Sequence, residues 1–160
     1  MKTLELRRHA RRDPQADRLS PAGRADAEDV GRTSGRRYDV VFVSPAQRAA
    51  ETAAWVLRGA GVQLADHAVV PGLGGQDASG GSPEGMAAGV RALLDQMPEG
   101  AAGLAVSHTP LVERAGFGLT GLEVEPLEEL EGLLITLEDD GRIEVAEIRL
   151  DGRSSEPDQT

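Results

Sequence analysis

Short apolar runs typical of β-strands alternate with amphipathic helical segments along most of this chain. The run from Asp39 to Val43 is continuous and rich in β-branched residues, the pattern of a parallel strand covered on both faces. Helices are predicted to begin at Ser20-Pro21 and Ser82-Pro83, where a capping serine precedes a proline. Further strands are predicted at 4–6, 68–70, 104–106, 133–137 and 143–150. The alternation predicts an α/β fold, a three-layer α/β/α sandwich with a mostly parallel central sheet and a C-terminal hairpin.

The length of 160 residues is that of one ordinary domain, which we expect to span residues 1–150, with 151–160 as a flexible polar tail. The chain contains no cysteine, which excludes disulfides and thiolate nucleophiles. We see no apolar signal segment and no apolar run long enough to span a bilayer. We therefore expect a cytoplasmic protein with no membrane partner.

The charge distribution favours a small anionic ligand over nucleic acid. A net charge of −10 is unsuited to phosphate-backbone binding, which requires a basic face. Residues 1–50 nevertheless carry 11 of the 17 basic residues and only 7 of the 27 acidic ones. A locally positive segment in an acidic protein fits one anionic substrate bound at one place, although clustered surface arginines would give the same count.

Two histidines each follow a predicted strand. Arg8 and His9 come directly after the first strand, and His108 follows the strand at 104–106. Ligands of open α/β sheets bind outside the carboxyl ends of the strands, so both imidazoles are predicted to lie where an anion would be bound. His67 opens a strand instead, and we interpret it as structural.

Arg48 is the third candidate residue. It lies in the first turn of the helix predicted after Ser44-Pro45, where a cation is unfavourable beside the positive end of the helix dipole. A bound anion that interacts with Arg48 would explain this position. An exposed arginine in an arginine-rich protein is the alternative.

Taken together, these motifs resemble the histidine phosphatase superfamily, the phosphoglycerate-mutase-like proteins, and most closely its small bacterial phosphohistidine phosphatases. The resemblance covers residues 4 to about 110 and rests on four motifs in the order of that family: Arg8-His9-Ala10, Leu19-Ser20-x-x-Gly23, Ser44-Pro45-x-x-Arg48-Ala49-x-x-Thr52-Ala53 and Ser107-His108. It implies that His9 is the nucleophile, that Arg8 and Arg48 clamp the phosphoryl oxygens, and that His108 completes the phosphate pocket. It also implies that no metal or other cofactor is needed.

The general acid is where the chain departs from this family. Larger members place a glutamate shortly after the third strand, and Leu73-Gly74-Gly75 offers none here. Asp77 is the nearest carboxylate, and Glu84 is the alternative, although Glu84 could simply stabilise a helix start. A weak or absent acid suits a phosphoramidate such as phosphohistidine better than an alkyl phosphate.

The expected function is therefore hydrolysis of phosphohistidine or a small phosphoester through a phosphohistidine intermediate on His9. The expected partners are a phosphorylated protein histidine or a small phosphorylated metabolite, with a monomer as the favoured state. A non-catalytic module that binds phosphorylated ligands without an effective acid is the main alternative. A metal hydrolase fits less well, because neither His9 nor His108 has a close ligand partner at metal spacing.

Overall fold

The computed structural model describes residues 1–64 and 66–150, so the predicted tail at 151–160 lies outside the described residues. The described part contains six strands and four α-helices, and a short 3-10 turn, Pro71–Gly74, follows the third strand. In chain order the elements are β1 (Lys2–Arg8), α1 (Pro21–Ser34), β2 (Val40–Val43), α2 (Gln47–Ala60), β3 (Ala68–Val69), α3 (Pro83–Gln96), β4 (Ala102–Ser107), α4 (Leu111–Thr120), β5 (Gly132–Leu137) and β6 (Ile143–Ile148). None of the helices in 1–64 and 66–150 is long and apolar enough to cross a membrane.

The six strands form one mixed sheet in the order β3-β2-β4-β1-β5-β6. The first four strands of the chain are mutually parallel, whereas β5 and β6 pair antiparallel as the predicted hairpin. In the register of the central strands, Arg8 is opposite Ser107 and Val43 is opposite Val106. The carboxyl ends of β1, β4 and β2 therefore meet at one edge, as the mostly parallel arrangement requires.

Each face of the sheet is covered by a pair of helices, which confirms the three-layer α/β/α architecture. Leu4 and Leu6 of β1 belong to the core beneath α3 and α4, together with Val90 and Leu94 of α3. The opposite face carries a second core, in which β2, β4 and the helices α1 and α2 contribute buried side chains such as Val43, Val106, Val30 and Val56. Alternate β-strand residues point to opposite faces, so both cores are built from the same strands.

The starts of the helices follow local chemistry. The hydroxyl groups of Ser20 and Ser82 accept hydrogen bonds from the backbone N–H of Gly23 and Gly85, and proline occupies the first turn of α1 and α3. Helix α2 differs, because its N-cap is Ala46 and no side chain of that residue can cap it. The backbone donors at the start of α2 therefore need a partner from elsewhere in the chain.

A charged cluster is buried beneath β1, on the face of α1 and α2. Glu5 and Arg7 are each only 2% exposed, and the Arg7 Nε lies 2.8 Å from Glu5 Oε1. The Tyr38 hydroxyl donates to the same carboxylate at 2.9 Å, and Arg36 Nε lies 2.8 Å from its other oxygen. Burial and the neighbouring Glu5 charge raise the pKa of Tyr38 to about 12, so its hydroxyl remains a donor.

Candidate active site

Three strand ends converge at the edge of the sheet where β1, β4 and β2 finish. His9 follows β1, His108 follows β4, and Ser44 follows β2, three positions before α2 begins at Gln47. The His9 and His108 ring centroids lie 5.2 Å apart with their planes at 63°. Two histidines separated by 99 positions in the sequence are thus brought edge to face by the parallel pairing of β1 and β4.

His9 is oriented so that one ring nitrogen is held and the other faces the site. Its Nδ1 lies 2.7 Å from the carbonyl oxygen of Ala10, an acceptor, so we assign the proton to Nδ1. The Nε2 is then an unprotonated acceptor, and Arg48 Nε donates to it at 3.3 Å. Burial lowers the pKa of His9, the Ala10 hydrogen bond opposes this, and the positive charges of Arg48 and Arg8 lower it further. The Nε2 is therefore available as a nucleophile near neutral pH.

All three guanidinium nitrogens of Arg48 are engaged. In addition to the contact of Nε with His9, Nη2 donates to the Nδ1 of His108 at 3.4 Å, and Nη1 donates to Asp17 Oδ1 at 2.9 Å. The planar fork thus joins both imidazoles to one carboxylate. Arg48 lies in the first turn of α2, as predicted, and points into the site.

His108 is held from its other side by a serine. Because Nδ1 accepts from Arg48, the proton of the neutral ring is on Nε2, which donates to the Ser44 hydroxyl oxygen at 2.6 Å. Burial, followed by the charges of His9 and Arg48, lowers the pKa of His108 to about 4. Both site histidines are therefore neutral at pH 7 without ligand.

Arg8 lies beside this group, and the segment before β5 covers it. Its Nη1 donates to the Leu127 carbonyl oxygen at 2.7 Å, and its Nη2 lies 3.6 Å from Glu129 Oε2. Its Nε is buried and has no hydrogen-bond partner in the part of the chain that the structure describes. A buried donor without a partner is costly, and an anion at this position would relieve the cost.

Asp17 provides the partner that α2 requires. Its carboxylate accepts hydrogen bonds from the backbone N–H of Gln47 at 2.9 Å and of Arg48 at 3.2 Å, in addition to the guanidinium contact. Burial raises the pKa of Asp17, but these hydrogen bonds outweigh it and leave the pKa below its usual value. Asp17 is thus an ionised cap that also holds Arg48.

The two predicted acids do not join this group. Asp77 is exposed, and its carboxylate accepts from the hydroxyl and the backbone N–H of Ser79 at 2.6 and 3.0 Å, which lowers its pKa. Glu84 is exposed in the first turn of α3. Neither carboxylate makes a hydrogen bond or an ion pair with His9 or His108 within residues 1–64 and 66–150, and the role of each as an acid stays a prediction.

Three neighbours of the site were not among the site residues predicted from the sequence: Ser44, which was named only as part of a motif, Asp17 and Glu129. A signal existed for Ser44, because it ends a strand in the same manner as His9 and His108. Asp17 and Glu129 have no such signal. Each reaches an arginine far away in the sequence, and only the folded chain shows the pairing.

The chain resembles known proteins in both sequence and fold. The family model of the histidine phosphatase superfamily (branch 1) matches residues 4–99. No curated protein sequence matches significantly. Among solved structures, the protein histidine phosphatase SixA in complex with tungstate superposes with a TM-score of 0.71 at 23% identity, over 92% of this chain and 96% of that chain.

Two further structures share the fold. The phosphoserine phosphatase of Entamoeba histolytica, in complex with 3-phosphoglyceric acid, gives a TM-score of 0.74 at 17% identity, over 94% of this chain and 98% of that one. The phosphoglycerate mutase of Bacillus anthracis gives 0.67 at 18% identity, over 91% and 92%. These likenesses show a shared architecture, and the family match extends across the motifs at the ends of β1 and β2. The chain belongs to the histidine phosphatase superfamily, branch 1.

Proposed function

We propose that this protein is a phosphatase that hydrolyses phosphohistidine or a small phosphoester through a covalent intermediate on His9. The observation that carries the proposal is the position of His9 Nε2, 3.3 Å from Arg48 Nε and beside His108, with the ring proton assigned to Nδ1. Phosphoryl transfer is catalysed mainly by positioning and by stabilising charge on the phosphoryl oxygens. A neutral nucleophile surrounded by two guanidinium groups meets both requirements.

The reaction has two displacement steps. First, the Nε2 lone pair of His9 forms a bond to phosphorus, while the bond from phosphorus to the leaving atom breaks and the leaving group keeps its electron pair. Second, a water oxygen attacks phosphorus, the N–P bond breaks, and its electron pair returns to His9. The proton that the attacking water loses passes to solvent, and phosphate is released. The nucleophile is thereby regenerated.

The remaining residues stabilise the transferring group. We assign to Arg8 and Arg48 the role of donating to phosphoryl oxygens, and the Nε of Arg8, which has no partner in the described residues, supports this assignment. His108 gains a stronger hydrogen bond to a phosphoryl oxygen if it takes up a proton when the dianion arrives, because the negative charge favours the imidazolium. Ser44 positions its ring through the 2.6 Å contact.

The acidity of the candidate proton donors favours one class of substrate. The carboxylates of Asp77 and Asp17 have lowered pKa values, so neither is a ready proton donor at neutral pH. An alkyl phosphate needs a donor for its leaving oxygen, whereas the nitrogen of a phosphoramidate can bring its own proton. This favours phosphohistidine, in a protein or a peptide, over sugar phosphates.

A substrate panel tests the proposal directly. Purified protein is assayed with a phosphohistidine peptide, phosphoramidate and sugar phosphates, in wild type and in His9→Ala. His67→Ala is the matched control, because it removes an exposed histidine at the start of β3. We expect hydrolysis of the nitrogen-linked substrates to be lost in His9→Ala and kept in His67→Ala. Undiminished turnover in His9→Ala would reject the proposal.

The panel also separates a phosphatase from a binding module. The carboxylate of Asp77 accepts a hydrogen bond from Ser79 within its own turn, and this observation supports the alternative, a non-catalytic binding module. Tight phosphate binding without turnover of any substrate would identify a module that binds phosphorylated ligands.

A further inference from the structure

The segment before β5 makes hydrogen bonds to both the backbone and the side chain of Arg8. The backbone N–H of Leu130 donates to the Arg8 carbonyl oxygen at 3.0 Å, and the Arg8 N–H donates to the Glu131 carbonyl oxygen at 2.9 Å. Leu127 binds the Arg8 side chain through its own carbonyl oxygen at 2.7 Å. Both the backbone and the guanidinium of Arg8 are thus fixed by residues 127–131.

One residue of this segment has an unfavourable backbone. Leu130 has a φ of +70°, the only non-glycine with positive φ in the described residues, and its side chain is 1% exposed. A left-handed conformation is rare for a branched residue that has no polar side chain to compensate. The Leu130 carbonyl oxygen accepts from Arg7 Nη1 at 2.6 Å, which helps to hold this conformation. Strain of this kind is found where a neighbouring group must be placed accurately.

The residue before Leu130 is Glu129, which brings a carboxylate to the side chain of Arg8. The carboxylate lies 3.6 Å from Arg8 Nη2, and the side chain of Glu129 is 29% exposed. Its negative charge also acts on His9, whose pKa it raises against the effect of Arg48 and Arg8. Glu129 therefore contributes negative charge beside the group that would bind phosphoryl oxygens.

Asp17 also brings a carboxylate to the site, but its position has a structural explanation. It caps α2 through two backbone N–H groups that have no other side-chain cap. Glu129 has no comparable role in starting a helix, because it lies between α4 and β5. Its carboxylate lies instead beside Arg8, whose buried Nε has no hydrogen-bond partner in the described residues.

We propose that Glu129 is a specificity-determining residue that disfavours a bare phosphate anion and favours a phosphoryl group carried on a protonated nitrogen. The proposal rests on the proposed function and names the charge state of the ligand that the same site selects. A carboxylate beside Arg8 repels a dianion, and a protonated imidazole attached to the phosphoryl group offsets that repulsion with its own positive charge.

The test compares Glu129→Gln with Glu128→Gln. Both variants remove one negative charge from adjacent positions, but the side chain of Glu128 is exposed and makes no ion pair with Arg8. Binding of inorganic phosphate is measured by calorimetry at neutral pH and low salt, and kcat/KM is measured for a phosphohistidine peptide and for p-nitrophenyl phosphate. Glu129→Asp keeps the charge and serves as the conservative variant.

We expect Glu129→Gln to tighten inorganic phosphate binding about tenfold, equivalent to about 1.4 kcal/mol. We also expect it to lower the ratio of kcat/KM for the peptide to kcat/KM for the ester by a similar factor. Glu128→Gln should stay within about twofold of wild type in both measurements, because screened surface charge contributes little. Glu129→Asp should fall between wild type and Glu129→Gln, because it keeps the negative charge on a shorter side chain.

Two results would overturn this role of Glu129: phosphate binding in Glu129→Gln that is unchanged or weaker, or an equal change in Glu128→Gln. The phosphate-binding measurement needs no turnover. It therefore tests Glu129 even if the substrate panel finds no hydrolysis that depends on His9, and the two failures are distinguishable.

Discussion

Substitutions of Asp17, in the loop before α1, separate its role as a cap of α2 from its role in holding the Arg48 side chain. The carboxylate of Asp17 accepts from the backbone N–H of Gln47 and Arg48, and it also binds Arg48 Nη1 at 2.9 Å. Alanine removes all three contacts at once. Asp17→Asn keeps an oxygen for the cap and removes the charge, so comparison of the two variants separates the contribution of the cap from that of the ion pair.

The expected magnitude comes from these contacts. Loss of a helix N-cap costs about 1 kcal/mol. The ion pair joins side chains that are 23% and 44% exposed, so solvent screening limits its contribution to about 0.5 kcal/mol. Asp17→Ala should therefore lower the free energy of unfolding by about 1.5 kcal/mol, or Tm by about 3–6 °C for a chain of this size. Asp17→Asn should lose about 0.5 kcal/mol.

Activity should respond differently from stability. Arg48 keeps its contacts with His9 and His108 in both variants but loses the anchor on Nη1. We expect kcat/KM to fall about tenfold in both, because a misplaced guanidinium fork weakens transition-state stabilisation. Thermal unfolding and steady-state kinetics measure the two effects, with Asp13→Ala, in the same loop but bound to Arg18, as control. Equal stability loss in both Asp17 variants, or unchanged kcat/KM, would refute this reasoning.

Further predictions concern the site and the charged cluster beneath it. Ser44→Ala should lower kcat/KM several-fold without changing Tm by more than a few degrees, because it removes the partner of His108 Nε2; an unchanged kcat/KM would contradict the positioning role. Arg48→Lys should lower kcat/KM at least a hundredfold, about 3 kcal/mol, because a lysine lacks the fork; a loss below tenfold would argue against a bidentate clamp. As the pH falls below 6.5, His108 is protonated in the unfolded chain, whereas in the folded protein it is protonated only near its pKa of about 4; the free energy of unfolding should therefore fall by up to about 3 kcal/mol over that range. His108→Gln should flatten the dependence of the free energy of unfolding on pH, and an unaltered dependence in that variant would contradict the lowered pKa. Arg7→Met should destabilise the protein by about 3 kcal/mol in urea unfolding, because it leaves the buried Glu5 with fewer partners; a neutral effect would contradict a stabilising role for this buried ion pair.

Much of the fold could be predicted because its determinants are local. The caps at Ser20 and Ser82 act within three residues, and strand patterns at β2 and β4 depend on side chains a few positions apart. The parallel sheet follows from their alternation with helices. Strand order then brings His9 and His108 to one edge, which is why two residues so distant in the sequence could be predicted to be neighbours.

The electrostatic surroundings of the site could not be predicted in this way. A cation in the first turn of α2 indicated an anion near Arg48, but the carboxylate found there is Asp17, from a loop with no pattern of its own. The carboxylate of Glu129 lies beside Arg8 and precedes a left-handed residue, Leu130, and sequence patterns reveal neither feature. Pairings of this kind depend on tertiary contacts between segments that carry no shared periodicity.

The central claim is that His9 Nε2 receives the phosphoryl group. The direct measurement is rapid quenching of the enzyme during turnover of a phosphohistidine peptide, followed by alkaline denaturation and mass spectrometry of the peptide that contains His9. The account predicts a base-stable, acid-labile phosphoryl group on the Nε2 of His9 in wild type and none on the corresponding peptide of His9→Ala. Turnover that proceeds with no phosphoryl group on His9 at any quench time, or at an equal rate in His9→Ala, would contradict it.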